Sequence, residues 1–114
     1  MAETFTYDNL IVGGDVVTDG AVLEAGQNLK RGAVLGKVDA TGELKLSDDA
    51  ATDGSQSVYA ILNEDCDASG GAKRCAIIIA GEVNANSLIF GGNHTAASTK
   101  DAFRDLGIYL KEGE

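Results

Sequence analysis

Apolar residues follow two rhythms along this chain. From residue 10 to residue 46 they come as pairs and triplets cut by turn residues. From residue 60 onward they form unbroken runs, Ala60-Ile61-Leu62 and Ala76-Ile77-Ile78-Ile79-Ala80, either side of a polar loop at 63–73. The first rhythm predicts short strands near residues 10–12, 16–18, 21–23, 33–38 and 44–46. Gly13-Gly14, Asp19-Gly20, Gly26, Gly32 and Thr41-Gly42 separate them. Asp19-Gly20 is a strong hairpin signal and Thr41-Gly42 a weaker one, because both pairs accept the positive φ of a tight turn. Residues 47–57 read as a polar loop.

Two segments stand apart. Residues 2–9 alternate without Gly or Pro, placing Thr4 and Thr6 on one face and Phe5 and Tyr7 on the other. Their apolar mass is too small to bury itself, so residues 1–9 read as an extended arm and residues 10–114 as a single β-rich domain. Residues 95–106 are the one convincing helix. Thr95 caps it, with Ser98 or Thr99 as alternatives, and Ala102, Phe103 and Leu106 form an apolar stripe. Asp101 and Arg104 stand at i,i+3, and Gly107 occupies a C′ position. Strand resumes at 108–110. Many short strands and one late helix predict a mainly β fold, with the helix covering one face.

At 114 residues, the chain has room for one domain and a modest core. Oligomerisation is a natural way to hide the remaining apolar surface. With 5% aromatic residues, the core rests on Val, Ile, Leu and Ala. The net charge of −9 is spread along the chain, and the basic residues are scattered singles or pairs such as Lys30-Arg31 and Lys73-Arg74. A clustered basic face is therefore not expected, which argues against direct nucleic-acid binding. The start, Met1-Ala2-Glu3-Thr4-Phe5, has neither the basic nor the apolar region of a signal peptide. No apolar run approaches the roughly 18 residues of a membrane span. The expectation is a soluble protein made in the cytoplasm, with no membrane partner.

The reactive inventory is thin. His94 is the sole histidine and reads as a loop residue beside Gly92-Asn93, without the companions of a hydrolytic triad or a two-histidine metal site. Cys66 and Cys75 flank the 63–73 loop and fit facing hairpin strands. A cross-strand disulfide needs suitable geometry, and a reducing compartment favours two free thiols. Asp48, Asp49 and Asp53 before Gly54 lack the spacing and terminal Glu of a calcium loop, and read as a solvated turn. Gly13-Gly14-Asp15 and Gly91-Gly92-Asn93 lack the Lys-Ser/Thr of a phosphate loop. Residues 26–38 resemble a strand-turn element of biotinyl and lipoyl domains, but no lysine stands in the modified context, so the segment reads as scaffold. No catalytic residue, cofactor or metal is assigned. The chain reads as a non-enzyme whose product is an interface.

Taken in order, residues 26–38, Leu46-Ser47-Asp48, Asp53-Gly54-Ser55-Gln56, Ala60-Ile61-Leu62, Ala80-Gly81-Glu82-Val83-Asn84 and the ending at 100–110 carry a family likeness. In these the chain resembles the lambda-type bacteriophage head decoration proteins, over nearly its whole length from Glu3. The resemblance implies a β-clip fold and a homotrimer. It also implies binding to the major capsid protein at threefold and quasi-threefold sites outside the expanded capsid, and stabilisation of that shell. The location implied is the virion exterior, with the host cytoplasm during assembly. In that family an N-terminal arm helps to hold the trimer on the shell. Glu3, Thr4, Phe5, Thr6 and Tyr7 occupy its place here. The chain departs from the lambda protein in its longer, proline-free N-terminal half and in having no tryptophan. The competing reading is a small β-domain binding module, or an accessory structural protein of another phage or tail assembly. The shortage of aromatic stacking platforms argues against sugar as the ligand of such a module.

Overall fold

The computed structural model describes residues 16–111. The expected strand at 10–12 and the arm residues Glu3, Thr4, Phe5, Thr6 and Tyr7 lie outside the described residues. Eight strands appear in chain order: β1 (Val17–Leu23), β2 (Asn28–Leu29), β3 (Val34–Lys37), β4 (Leu44–Leu46), β5 (Val58–Leu62), β6 (Cys66–Asp67), β7 (Lys73–Asn84) and β8 (Ile108–Lys111). A 3-10 turn at Ala85–Ser87 and one α-helix, α1 (Ala96–Leu106), separate β7 from β8.

The main sheet runs β1-β4-β3-β5-β7-β8, and β1 also pairs with β7. That second pairing closes five strands into a small barrel and leaves β8 outside it. The fold is mainly β with one helix in the C-terminal half, as the patterning predicts. β7 belongs to both parts. Its first residues pair antiparallel with β1 and β5, and Gly81–Asn84 pair in parallel with β8. A bulge opposite Val17 and Thr18 separates the two duties, since these neighbours pair with Ala80 and Ile78 and leave Ile79 extra.

The unbroken apolar runs have a physical cause in this layout. Leu35, Ala60, Leu62 and Ile77 sit in one core cluster with Leu23 and Leu44, so every barrel strand contributes to the interior. Val34, Ile61 and Ile78, chain neighbours of Leu35, Ala60, Leu62 and Ile77, sit in a second cluster with Phe103 of α1 and Ile108 and Leu110 of β8. β3, β5 and β7 are thus apolar on both faces, which abolishes the two-residue alternation of a half-exposed strand.

Two local signals resolve differently. Thr41-Gly42 forms the hairpin between β3 and β4, with the Gly42 N–H donating to the Val38 carbonyl at 2.8 Å. Asp19-Gly20 does not turn: the strands expected at 16–18 and 21–23 are one strand, β1. Seven register pairs with β7 outweigh the local preference, and the absent Gly20 side chain leaves space that the Arg74 guanidinium occupies. The loop segments at 26–32 and 63–73 also carry a short ribbon, in which Asn28 pairs with Asp67 and Leu29 with Cys66.

Helix α1 begins and ends as its sequence specifies. The Thr95 side chain accepts the Ser98 N–H at 3.1 Å, and the Ser98 hydroxyl accepts the Thr95 N–H at 2.8 Å. Gly107 ends it at φ 90°, a left-handed conformation suited to glycine. The predicted stripe is corrected. Phe103 is buried, but its buried companion is Thr99, while Ala102 is exposed and Leu106 is 40% exposed. Thr99 tolerates burial because its hydroxyl donates to the Thr95 carbonyl at 2.8 Å. The expected Asp101–Arg104 ion pair does not form among the described residues.

Gly36 marks the tightest approach. A Cβ there would lie 2.0 Å from the Ser55 carbonyl oxygen, whereas one at Gly70 would meet nothing within 4 Å. Gly36→Ala is therefore expected to cost roughly 3 kcal/mol by forcing the backbone apart, and Gly70→Ala to lie within about 0.5 kcal/mol of the parent. Urea denaturation of both variants measures the contrast. Equal midpoints would show that the 54–56 backbone yields freely.

Candidate functional site

The loop at 47–57 is less solvated than its composition suggests. Ser47 and Ser55 are fully buried. The Ser47 hydroxyl donates to the Ser55 carbonyl at 2.7 Å, and His94 Nε2 lies 3.1 Å from Ser47 Oγ and 3.0 Å from the Gln56 carbonyl. Both atoms facing Nε2 are acceptors, because the serine proton is already committed, so the network assigns the ring proton to Nε2. Asp49 accepts the Asn93 N–H at 2.9 Å. His94 is a loop residue, as its setting predicts, but one that pins two loops together. Ser47, His94 and Asp49 share the residue types of a hydrolytic triad without its geometry. The hydroxyl is buried and donates away from the ring, and the carboxylate holds backbone instead of imidazole.

The acidic residues here also have local work. Asp53 accepts the Ser55 hydroxyl at 2.5 Å and the Ser55 N–H at 3.0 Å, and lies 3.5 Å from Lys45 Nζ. These bonds hold its carboxyl below the ordinary value of 3.8, with the serine hydroxyl the leading cause. The Asn93 N–H does the same for Asp49. Among the described residues no three His, Cys, Asp or Glu side chains are grouped to hold a metal ion.

Cys66 and Cys75 are both free and both buried in the barrel cluster. They do not face each other on a hairpin, since Cys66 pairs with Leu29 and Cys75 with Ala21. Burial pushes the Cys75 thiol up to about 12, with Cys66 beside it adding to the effect. A thiol so far from ionisation is a poor nucleophile.

One feature escapes a reading of the basic residues in chain order. Lys100 and Arg104 of α1 and Lys111 of β8 line a single cavity of about 140 Å³ together with Tyr109 and Leu110. Cations scattered in the sequence therefore do converge, contrary to the expectation of no basic cluster. The i,i+4 spacing of Lys100 and Arg104 is the sequence signal that points to it. Val17, Leu106 and Tyr109 are exposed at 53%, 40% and 45%. Val17 pairs with Ala80, next to the β7 segment that carries β8.

The depressed carboxyls set a pH dependence. Their folded values lie below the unfolded 3.8, so the stability they contribute is present above that value and is lost as pH falls through the folded values. Melting temperature is expected to be flat from neutrality to about pH 5 and to fall below about pH 4. Asp53→Asn should lower the neutral melting temperature and flatten that acid limb. A variant with an unchanged acid slope would remove Asp53 from the account.

No helix of the described residues is long and apolar enough to cross a membrane. No curated protein matches the chain. A family model, that of the bacteriophage lambda head decoration protein D, matches residues 2–109. With nearly the whole length matched, and a small β-barrel carrying one late helix beneath that match, the chain belongs to the bacteriophage lambda head decoration protein D family, a family of structural proteins of the phage capsid.

Proposed function

We propose that this protein binds as homotrimers to threefold and quasi-threefold sites outside an expanded phage capsid and stabilises that shell, without being an enzyme. The family match over residues 2–109 carries the reading. The chemistry of the body supports it. The lone histidine and the acidic loop are committed to holding backbone, and both thiols are buried. The partner is the major capsid protein, the place the virion exterior and, during assembly, the host cytoplasm.

Residues 1–9 act as the capsid-binding arm and residues 10–114 as the decoration domain. Glu3, Thr4, Phe5, Thr6 and Tyr7 alternate without Gly or Pro, and so offer a full row of backbone donors and acceptors to a capsid sheet edge. Phe5 and Tyr7 face the capsid side. Ordering such an arm costs about 1–2 kcal/mol per residue in backbone entropy, so one arm adds a small net affinity. Three arms on a trimer act together, and the avidity is what keeps the trimer seated. A ligand that binds only the expanded lattice stabilises it by mass action.

Light scattering of the purified protein should report a trimer at micromolar concentration, and a persistent monomer would count heavily against this reading. Deleting residues 2–8 should leave the trimer and its melting temperature intact while abolishing co-sedimentation with expanded, undecorated capsids. Capsid binding as tight as that of the full chain would show that the arm is not the anchor.

A further inference from the structure

The edge of β8 offers a second set of contacts. Among the described residues β8 pairs only with β7, which leaves its outer edge without a strand partner. Ile108 and Leu110 point into the core, and Tyr109 and Lys111 are exposed. Between β8 and α1 lie two adjoining cavities that share Lys100 and Leu110. One, of about 140 Å³, is completed by Arg104, Tyr109 and Lys111, and the other, of about 180 Å³, by Ala85, Ala96 and Ala97. β8 contributes Tyr109, Leu110 and Lys111 to these linings and β7 contributes none.

Their chemistry is particular. Both fall well below the roughly 300–1,000 Å³ of a small-molecule site. Each suits a single side chain, and two pockets beside an open strand edge match an added strand that points alternate side chains down. Lys100, Arg104 and Lys111 make no ion pair among the described residues. Asp101 and Asp105 do not line the cavity, although Asp101 stands one turn before Arg104. On a chain of net charge −9, this is a place where an acidic segment meets three cations that form no ion pair among the described residues.

We infer that the β8 edge and its Lys100, Arg104 and Lys111 rim accept an acidic, extended segment of the capsid protein as an added strand. The inference rests on the decoration reading and names a body contact beside the arm. Continuity selects the shell over a second copy as the occupant. Val16, the first described residue, lies against Gly81, where an added Cβ would meet the Val16 Cα at 2.9 Å. Gly81 pairs with Ile108, the first residue of β8. Val16 therefore puts the N-terminal end of the described body at the head of β8. An arm at residues 1–9, tied to that point through residues 10–15, keeps the β8 edge within reach of the same surface.

The test is the triple variant Lys100→Glu, Arg104→Glu, Lys111→Glu in the full chain, co-sedimented with expanded, undecorated capsids across a salt series. Trimer mass and melting temperature should match the parent. Capsid affinity should fall about tenfold at low salt, and the salt dependence seen with the parent should largely disappear. Glutamine at the same three positions gives a milder loss of the same kind and serves if charge reversal disturbs folding. A variant that binds like the parent overturns the inference. So does one that falls apart to monomers, which would give this face to a second copy. A parent protein that fails to bind any expanded capsid instead overturns the decoration reading itself.

Discussion

Burial of one sheet on both its faces is the constraint from which the rest of this structure follows. β3, β5 and β7 each place neighbouring residues into opposite cores: Val34 and Leu35, Ile61 and Leu62, Ile78 and Ile77. The barrel interior takes one residue of each pair. The other demands a cover, and α1 with β8 supplies it through Phe103, Ile108 and Leu110. Burying a side chain of this size is worth about 1.5–3 kcal/mol, so a barrel stripped of its cover would expose several such residues at once. The helix is there to complete the sheet, and its own short apolar face reflects that. Its caps are strong because its packing stripe is narrow.

The same constraint explains what could be read from the chain and what could not. The runs at 60–62 and 76–80 were legible because β-branched and aliphatic residues without alternation suit a strand enclosed on two sides. The helix was legible because Thr95, Ser98 and Gly107 act within one or two turns of backbone. Asp19-Gly20 misled because its turn propensity is local, whereas the partner that overrides it, β7, lies far along the chain. The ribbon of Asn28–Leu29 with Cys66–Asp67 left no trace, since a two-residue strand has no period. Of the site, the bareness of the reactive inventory was plain. The meeting of Lys100, Arg104 and Lys111 was not, because it depends on β8 folding back beside α1.

Charge is organised by the loops that link the layers. Asp49 and Asp53 spend their carboxylates on nearby backbone and serine groups, and His94 and Ser47 tie the 47–57 loop to the start of α1. Lys45 lies near Glu24 at 3.8 Å and Asp53 at 3.5 Å, half-exposed pairs that contribute little energy but keep local charge balanced. Three cations, Lys100, Arg104 and Lys111, meet beside β8. On a chain of net charge −9, that meeting of cations marks one face apart.

The pairing of β1 with β7 has a consequence for how the chain acquires its shape. Val17 meets Ala80 only after about sixty intervening residues have been made, whereas β7, α1 and β8 are consecutive. Loop closure is costlier over the longer span, and contacts between distant residues slow folding. On a growing chain β1 is therefore expected to lack its main partner until β3, β4 and β5 have all been made. Closing the barrel is then expected to be a late step. The closing seam thus joins the parts of the barrel that are made furthest apart.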